Sequence, residues 1–436
     1  MRGATRQQDL RLKRLTIITS TVTAGCLAAV SAAQSVTPPT AAPKPTTSDS
    51  PTALVVAVPA RTALKAKHLD PALRDPRTAP VPPEIPVALL VDLSSGQTLF
   101  AREPHRRFVP ASVTKVMTAY SVFRLIGEGK LTPDTPVIVT KEVAEIWSGE
   151  GSSMFIQAGD RLTVGELLLG VTTVSGNDAA AMLAVTAAGS LEAWLDVMNA
   201  NAAELGLRDT HFGTPNGWPD EGRTYTSARD LAILAEAMTT RYPSLYRRFI
   251  GHAGLRYRNI AQNNHDPVTG KVEGADGIKT GYTRQAGYTF VGSAERGGRR
   301  LVVAIGGAPS SGIRNKAARD LLEWGFAAFD SRTILPAGSE VGEALVQNGA
   351  SSSVSLRTAG LVLASFPRGS NPDDVSLAIR YRGPLEAPVA AGRPAAYLRV
   401  SVAGQQPHEI PLLAAVEVPE ANALQRLRNG LTGLFW

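Results

Sequence analysis

The chain has 436 residues, enough for two globular domains with tails, and 44% of them are hydrophobic, enough for a sizeable core. Its formal net charge is +7, but the first 14 residues carry +4 of it, which leaves +3 for the rest of the chain. Because acidic and basic residues are interspersed there and form no dense basic stripe, the charge pattern argues against a nucleic-acid-binding protein.

Cysteine and histidine usage limits the metal chemistry that the chain could support. Cys26 is the only cysteine, so a disulfide within one chain and a cysteine-rich zinc site are both excluded. The six histidines are scattered, and no two stand at the HxxH or HxxxH spacing of helical metal ligands. The sequence therefore predicts no metal site and no cofactor.

The N-terminus has the features of an export signal. A basic start precedes the apolar stretch LTIITSTVTAGCLAAVSAA, and small residues around 31–34 suit cleavage. Residues 1–34 are therefore predicted to be a signal peptide. An uncleaved anchor is the alternative, because the apolar run approaches the ~20 residues that span a bilayer. Cys26 lies inside this apolar region, and whether it carries a lipid is left open.

Proline content marks the next segment. Residues 35–86 contain 12 of the 30 prolines, together with many Ala, Thr and Ser residues. Such a composition buries too little apolar surface to order itself, so the segment is predicted to be an extended linker.

Helices and strands alternate in the region that follows. The run VALLVDLSSGQTLFARE predicts a hairpin, SVTKVMTAYSVFRLIGEGK a helix that ends at Gly127, and LTVGELLLGVTTV and DAAAMLAVTAAG two apolar helices separated by SGN. AGYTFVGSAE and RRLVVAIGGA predict two strands around a turn at 296–298, and RNKAARDLLEWGFAAF predicts a closing helix. These elements predict one α/β domain over 87–330.

A second, smaller domain is predicted over 335–416. VSLAIRYR and YLRVSVAG alternate apolar and polar residues, and glycine- and proline-containing turns separate such runs. A period of two residues is typical of half-buried strands, so this domain is predicted to be rich in β-structure.

The C-terminal tail, residues 418–436, is predicted to be an amphipathic helix. Leu424, Leu427, Leu431 and Leu434 fall on one helical face, and the chain ends in Phe-Trp. The segment is too short to span a bilayer but suits a helix lying in a membrane interface. Docking of this face on the β-rich domain is the alternative.

One short motif suggests a nucleophile. In PASVTKVMTAY, Ser112 and Lys115 stand three residues apart on one face of a helix start. A serine hydroxyl needs a base, and a lysine serves only when burial or a nearby cation lowers its pKa. The free N–H groups and positive dipole of a helix N-terminus would favour an oxyanion. Taken alone, however, the motif favours an ordinary helix start with Ser112 as its N-cap.

Two further strings strengthen this interpretation. Ser175 and Asn177 flank Gly176 in a tight turn, where a hydroxyl and an amide suit proton relay and amide binding. Lys279, Thr280 and Gly281 are predicted to open a strand, where the lysine could hold a carboxylate and the glycine could let a substrate backbone approach the edge. A helix cap and an ordinary strand start are the simpler alternatives. The ordered set Ser-x-x-Lys, Ser-x-Asn, Lys-Thr-Gly is nevertheless specific to penicillin-binding proteins and class A β-lactamases.

From about residue 87 to the C-terminus, the chain resembles the low-molecular-mass penicillin-binding proteins that are serine D-alanyl-D-alanine carboxypeptidases of peptidase family S11. PASVTKVMTAY, SGNDAAAMLA, MNANAAELGLRDTHFGTPNGW and GADGIKTGYTRQAGY all look like family blocks. The resemblance implies an α/β (α+β) β-lactamase/DD-peptidase-like domain with an antiparallel sheet flanked by helices. A small β-rich domain and an amphipathic C-terminal helix would follow it.

The resemblance also implies a role for each motif residue. Ser112 would attack the carbonyl between the last two D-alanines of a peptidoglycan stem peptide, Lys115 would accept its proton, and Ser175 would pass a proton to the leaving D-alanine. The remaining assignments are Asn177 for the substrate amide, Lys279 and Thr280 for the terminal carboxylate, Gly281 beside them, and the backbone N–H groups of Ser112 and Tyr282 for the oxyanion. β-Lactams would acylate Ser112, and the protein would lie peripherally at the periplasmic face of the bacterial inner membrane.

Three features are not explained by these side-chain assignments. Arg314 is a further candidate for the carboxylate end of the site, although a surface salt bridge is the simpler interpretation. Relatives often have histidine where Tyr282 stands, and often an Asn-x-Asn-x-Leu-Leu-like stretch where this chain has NNHDPV. These departures leave substrate preference and one wall of the site open.

Other functions share parts of this evidence. A DD-endopeptidase that cuts cross-links would use the same residues. A class A β-lactamase would need a deacylating glutamate, for which EAWLD at Glu192 is a poor match. A non-catalytic envelope scaffold is a third alternative, disfavoured because every motif residue is present.

Overall fold

The computed structural model describes residues 16–19, 55–59, 70–371, 373–422 and 425. Most of the predicted signal peptide and much of the predicted linker therefore lie outside the described residues. Within them, β1 (Thr16–Thr19) runs parallel to a strand of the C-terminal sheet, and β2 (Val55–Pro59) pairs with a strand of the first domain.

A five-stranded antiparallel sheet forms the centre of the first domain. In spatial order its strands are β4 (Gln97–Arg102), β3 (Val87–Asp92), β11 (Arg299–Ala308), β10 (Gly287–Arg296) and β9 (Ala275–Thr283). The predicted hairpin and the two predicted strands around 296–298 are confirmed. β9 is the edge strand, so its outer side has no neighbour among the strands of this sheet.

Helices cover both faces of this sheet, as predicted. They are α1 (Lys115–Gly127), α2 (Lys141–Trp147), α3 (Val164–Thr173), α4 (Asn177–Ala188), α5 (Leu191–Glu204), α6 (Ala228–Arg241), α7 (Pro243–Phe249) and α8 (Ser311–Ala327). Short sheets join β5 (Pro136–Ile138) to β6 (Arg161–Thr163), and β2 to β7 (His252–Tyr257) and β8 (Ile260–Asn263).

The central strands separate two apolar cores. All six residues of β3 are buried, because successive side chains enter opposite cores. The larger core lies against the helices α1 and α3–α6, and the smaller one lies under α8. Burial on both faces explains why the strands read as continuous apolar runs rather than as alternating ones.

Part of the predicted linker is folded. Leu73, Val81 and Ile85 are buried in the smaller core, and the Trp324 indole N–H donates to the Asp75 carbonyl at 2.8 Å. Residues 70–86 therefore pack on the first domain, because three well-spaced apolar side chains anchor an otherwise proline-rich segment. The predicted start of folded structure at Val87 is too late.

The C-terminal region is rich in β-structure, as predicted. Its strands are β12 (Phe329–Leu335), β13 (Glu340–Gln347), β14 (Ser353–Thr358), β15 (Val362–Pro367), β16 (Val375–Tyr381), β17 (Leu385–Glu386), β18 (Pro394–Val402) and β19 (His408–Ala414). A sheet of order β1-β16-β18-β19-β14-β13-β17 packs around its own apolar core, with the β12–β15 pair beside it.

Buried polar groups join the two domains. Asp92, at the end of β3, accepts hydrogen bonds from Arg299 Nε at 2.6 Å and from Ser365 Oγ at 2.6 Å. Gln97 bonds both backbone groups of Ser365, and the His408 ring packs against the turn at Gly96. Asp92 is fully buried, so this junction is a specific polar contact and not a loose tether.

The start of the C-terminal tail differs from the prediction. Residues 418–422 are not helical, because Val418 pairs with Val389 and closes the edge of the β-rich domain. The rest of the predicted helix lies outside the described residues, apart from Gln425. Among the helices that the structure describes, none alone is long and apolar enough to cross a membrane, and only α4 and α5 together meet that criterion, with a bend of 86°.

Candidate active site

Two backbone segments fix the turn that carries Ser112. The turn is a short 3-10 helix, Ala111–Thr114, that leads directly into α1. A Cβ added to Gly281 would lie 2.5 Å from the Pro110 carbonyl oxygen, and one added to Gly217 would lie 1.9 Å from that of Ala111. Only glycine permits approach this close, so β9 and the 216–218 loop hold the nucleophile turn from two sides.

Lys115 is buried at the centre of the site, one helical turn after Ser112. Its Nζ lies 3.0 Å from Ser112 Oγ, 2.7 Å from Asn177 Oδ1 and 2.8 Å from the Asn216 carbonyl oxygen. Among the described residues, no carboxylate lies within ion-pair distance of this amine. Burial, together with the positive charge of Lys279, holds the pKa of Lys115 well below its usual range.

Counting hydrogens assigns a direction to each of these contacts. A neutral lysine amine has two N–H groups and one lone pair. The Asn177 side-chain oxygen and the Asn216 carbonyl can only accept, so they take the two N–H groups. In the neutral amine the lone pair is left for Ser112, whose hydroxyl would donate to Lys115 Nζ, whereas the charged amine donates to Ser112 Oγ. The surroundings of Lys115 therefore aim its basic lone pair at the serine proton.

Ser175 and Asn177 lie in the turn between α3 and α4. Ser175 has a left-handed backbone conformation (φ 63°), and its Oγ is buried without a hydrogen-bond partner among the described residues. Asn177 is the first residue of α4, but its side chain makes no cap; it bridges Lys115 Nζ and the Glu150 carbonyl oxygen. The helix-cap alternative for Asn177 is therefore wrong.

An acidic residue that the sequence analysis missed supports this turn. Asp178 is fully buried and accepts hydrogen bonds from Ser153 Oγ at 2.6 Å, from Met154 N at 2.8 Å and from Ile156 N at 3.1 Å. These bonds tie the 150–156 loop to α4 and so position Asn177. In the sequence, the only indication of a role for Asp178 is that it directly follows the Ser-x-Asn motif.

Lys279 and Thr280 lie within the edge strand β9. The Lys-Thr-Gly triplet occupies the second half of the strand and not its start, which corrects the predicted placement. Lys279 is buried, its Nζ donates to the Thr280 carbonyl at 2.9 Å, and burial with the nearby Arg314 lowers the pKa of Lys279 to about 7. The space that Gly281 leaves is filled by the backbone of the Ser112 turn, so this glycine serves packing first.

Arg314, on α8, is buried and does not form a surface salt bridge. Its guanidinium donates to the Thr289 carbonyl at 2.9 Å and to Asn315 Oδ1 at 2.7 Å, and it makes no ion pair with any described carboxylate. Burial lowers the pKa of Arg314 to about 10. The surface salt bridge proposed as the simpler interpretation of Arg314 is therefore wrong, because this cation is buried and makes no direct ion pair among the described residues. The carboxylate of Asp266 lies near enough to oppose the fall in the pKa of both Arg314 and Lys279.

A cavity of about 350 Å³ brings the predicted residues together. It is lined by Ser112, Ser152, Ser175, His265, Thr280, Gly281, Tyr282, Tyr288, Ser311, Arg314 and Asn315. Lys115, Asn177 and Lys279 lie behind this lining and bond or face its members. His265 belongs to the NNHDPV stretch, so that segment contributes to one wall of the cavity, which the sequence analysis had left open.

Two other features bear on chemistry. A larger cavity, about 650 Å³, lies on the β-rich domain between Arg380, Tyr397 and Glu409, and no serine–lysine pair lines it. No group of three or more His, Cys, Asp and Glu side chains within the described ranges could hold a metal ion. The arrangement at Ser112 supports nucleophilic attack by a serine with a lysine base.

Comparisons with known proteins agree with this geometry. Residues 78–310 match the family described as Peptidase_S11, D-alanyl-D-alanine carboxypeptidase, and residues 329–420 match the C-terminal domain of penicillin-binding protein 5. D-alanyl-D-alanine carboxypeptidase DacD of Salmonella typhimurium is 34% identical over 84% of this chain and 96% of its own length.

Solved structures give the same result. Penicillin-binding protein 5 of Haemophilus influenzae superposes with a TM-score of 0.68 at 30% identity, over 79% of this chain and all of that one. Penicillin-binding protein D2 of Listeria monocytogenes, solved in its ampicillin-bound form, matches 56% of this chain and 98% of its own at 26% identity, with a TM-score of 0.50. The chain therefore belongs to the S11 family of serine D-alanyl-D-alanine carboxypeptidases of peptidoglycan, the penicillin-binding protein 5 type.

Proposed function

We propose that this chain releases the terminal D-alanine from peptidoglycan stem peptides through an ester on Ser112. The observation that carries the assignment is the contact of 3.0 Å between Ser112 Oγ and the buried Lys115, whose pKa is lowered by burial and by the charge of Lys279. Ser112 Oγ bonds to the carbonyl carbon of the penultimate D-alanine, and its proton passes to Lys115 Nζ. The backbone N–H groups of Ser112 and Tyr282 stabilise the oxyanion.

Collapse of the tetrahedral intermediate breaks the C–N bond to the last residue. The departing amine takes up a proton that Lys115 supplies through Ser175, whose buried Oγ has no other described partner. Water then attacks the ester carbonyl while Lys115 accepts its proton. The bond between the acyl carbon and Ser112 Oγ breaks, Lys115 returns the proton to Oγ, and the shortened peptide leaves as a carboxylate. Ser112, Lys115 and Ser175 are thus the catalytic residues in this proposal.

Substrate binding is assigned to the remaining residues. Asn177 binds the amide of the penultimate residue, and Lys279, Thr280 and Gly281 receive the terminal carboxylate along the edge of β9. Arg314 is buried, lines the same end of the cavity and makes no direct ion pair with a described carboxylate, so we assign it to the substrate carboxylate as well. This concentration of cations suits a free carboxylate on the residue that leaves, which the terminal D-alanine of a stem peptide provides.

β-Lactams present the same carbonyl and carboxylate and would acylate Ser112. The ampicillin-bound form of the Listeria relative supports this proposal. Slow hydrolysis of the ester fits the lining of the cavity, which contains no glutamate, and Glu192 lies exposed on α5. A class A β-lactamase would need such a group to activate its water.

Export and peripheral attachment complete the proposal. A cleaved signal at 1–34 and a linker would deliver the two domains, 87–330 and 335–416, to the periplasmic face of the inner membrane. Asn422 and Gln425 exchange reciprocal backbone–side-chain hydrogen bonds at 2.9 Å, the pattern of a capping box. This supports a helix that starts after Asn422 and rests its leucine face on the membrane.

The direct test labels the protein with a fluorescent penicillin and measures D-alanine release from pentapeptide muropeptides. Ser112→Ala should abolish both signals, while Ser152→Ala, a serine exposed in the same cavity, should keep both. Equal D-alanine release by wild type and Ser112→Ala would refute the proposal. Cleavage of cross-linked dimers faster than of monomeric pentapeptides would favour the endopeptidase.

A further inference from the structure

Two tyrosines form an exposed aromatic surface inside the cavity. Tyr282 on β9 and Tyr288 on β10 are directly opposite each other in the antiparallel register. Their rings stack with centroids 4.3 Å apart and planes inclined by 29°, and both line the cavity. Although it is supported by this stack, Tyr282 remains 55% exposed, which is unusual for a large ring in a binding cleft.

The strand direction locates this surface relative to the reacting groups. Side chains alternate along β9, so Thr280 and Tyr282 project to the same side, toward the cavity. Tyr288 is in turn 6.0 Å from the Arg314 guanidinium, measured to the ring centroid. The stacked pair therefore lies beside the carboxylate-binding groups, next to the residue that leaves rather than the residues that stay on Ser112.

We propose that Tyr282 and Tyr288 bind the side chain of the C-terminal residue of the stem peptide. The enzyme would then release D-amino acids larger than D-alanine as well as D-alanine itself. Stem peptides ending in D-residues with larger aliphatic or aromatic side chains would then be substrates. The inference rests on the proposed function, because it takes the cation end of the cavity as the place of the terminal carboxylate. D-configuration is still required, since the carboxylate and scissile carbonyl keep their positions.

Apolar contact is the physical basis of the preference. A methyl group reaches little of the Tyr282 ring, whereas an isobutyl or benzyl group covers it and removes apolar surface from water. The stack on Tyr288 holds the ring in place, so binding does not have to pay for ordering it. When a larger substrate side chain covers one face of the half-exposed Tyr282 ring, kcat/KM is expected to rise about fivefold relative to D-alanine.

The test compares two substrates within each variant. Diacetyl-L-Lys-D-Ala-D-Ala and diacetyl-L-Lys-D-Ala-D-Leu are hydrolysed by wild type, Tyr282→Ala and Tyr282→Phe, and the ratio of their kcat/KM values is measured. Any shift of the oxyanion N–H affects both substrates alike and cancels in the ratio. Melting temperatures check that each variant is folded.

Wild type should release D-leucine at least as efficiently as D-alanine. In Tyr282→Ala the ratio should fall about fivefold, and in Tyr282→Phe, which keeps the ring, it should stay within twofold. An unchanged ratio in Tyr282→Ala would overturn the inference, as would a raised one, since the ring would then be a wall that excludes large residues. If wild type released neither amino acid, the proposed function itself would fail.

Discussion

Two buried cations of the first domain have opposite surroundings. Lys115 is surrounded by a hydroxyl, an amide oxygen and a backbone carbonyl, with no described carboxylate in ion-pair contact. Arg299, at the junction with the β-rich domain, contacts the fully buried Asp92 at 2.6 Å. Burial and the charge of Lys279 lower the pKa of Lys115 and so suit it to act as a base, whereas Arg299 forms an ion pair with Asp92 and holds the domain junction.

The comparison teaches that burial alone does not identify a functional cation. The groups that contact the cation determine its role. Neutral partners leave a buried cation with a shifted pKa, whereas an acidic partner forms an ion pair with it. Removing the side chain at each position should therefore damage different properties of the protein, and that contrast is open to direct test.

The largest effect is expected for Lys115→Met, which keeps the length of the side chain but removes the base. Penicillin acylation and D-alanine release should fall at least about a thousandfold, because Ser112 loses its proton acceptor. The melting temperature should fall less than in Arg299→Met, since Lys115→Met leaves two neutral acceptors, Asn177 Oδ1 and the Asn216 carbonyl oxygen, without a donor but no carboxylate unpaired. Rapid acylation of the purified variant would contradict the assignment of Lys115 as the base.

The opposite pattern is expected for Arg299→Met. Asp92 would remain buried without its partner, and the free energy of unfolding should fall by about 3 kcal/mol. The folded fraction should still acylate at close to the wild-type rate, because Arg299 does not contact the cavity. Adding Asp92→Asn should recover part of the loss in urea unfolding; no recovery would refute the ion-pair explanation.

The pH profile of kcat/KM tests the lowered pKa values of Lys115 and Lys279 in one experiment. On the acid side activity should fall as Lys115 becomes protonated, at a pH well below the usual lysine pKa. On the alkaline side activity should fall, up to tenfold per pH unit, once Lys279 loses its charge above about pH 7. Lys279→Arg should remove the alkaline limb, since arginine stays charged; an unaltered limb would assign it to another group.

The smallest effect concerns His408, on the far side of the junction. Burial lowers the pKa of His408 to about 4, and both of its ring nitrogens are buried without a described partner. Between the usual pKa of histidine near 6.5 and pH 4, the unfolded chain therefore binds a proton that the folded protein does not, so stability falls as pH falls.

In urea unfolding, wild type should lose about 1 kcal/mol more between pH 7 and pH 4 than His408→Phe does. The effect is small because His408 as a whole is only partly buried, so solvent screens its charge in the folded state. Equal pH dependence of the two proteins would show that the ring titrates normally in the folded state.

Local patterns predicted most of the elements but only part of the site. The helix from Ser112 to Gly127, the apolar helices around SGN and the strands around 296–298 follow from periodicity and turn residues. The burial of residues 70–86 was missed, because composition averages over the few apolar side chains that anchor a segment. Pairing of β12 with β15 depends on contacts distant in sequence, which periodicity does not encode.

Within the site, residues with reactive side chains were easier to predict than those that act through the backbone. Ser112, Lys115 and Asn177 carry recognisable functional groups, and the structure brings them into contact. Asn216 holds Lys115 with a carbonyl oxygen that every residue possesses, so its identity gave no signal. Arg314 was misread because burial, which decides its role, depends on how α8 packs.

The close contacts of Gly217 and Gly281 with the Ser112 turn limit which substitutions this enzyme can accept. Alanine at Gly217 or Gly281 would force two main-chain segments apart, so neither position can vary while the turn stays in place. Under the proposed acylation of Ser112 by β-lactams, substitution at either glycine would therefore weaken the native reaction together with acylation. Changes that separate the two reactions are expected instead at the walls of the cavity, where side chains and not the main chain define the space.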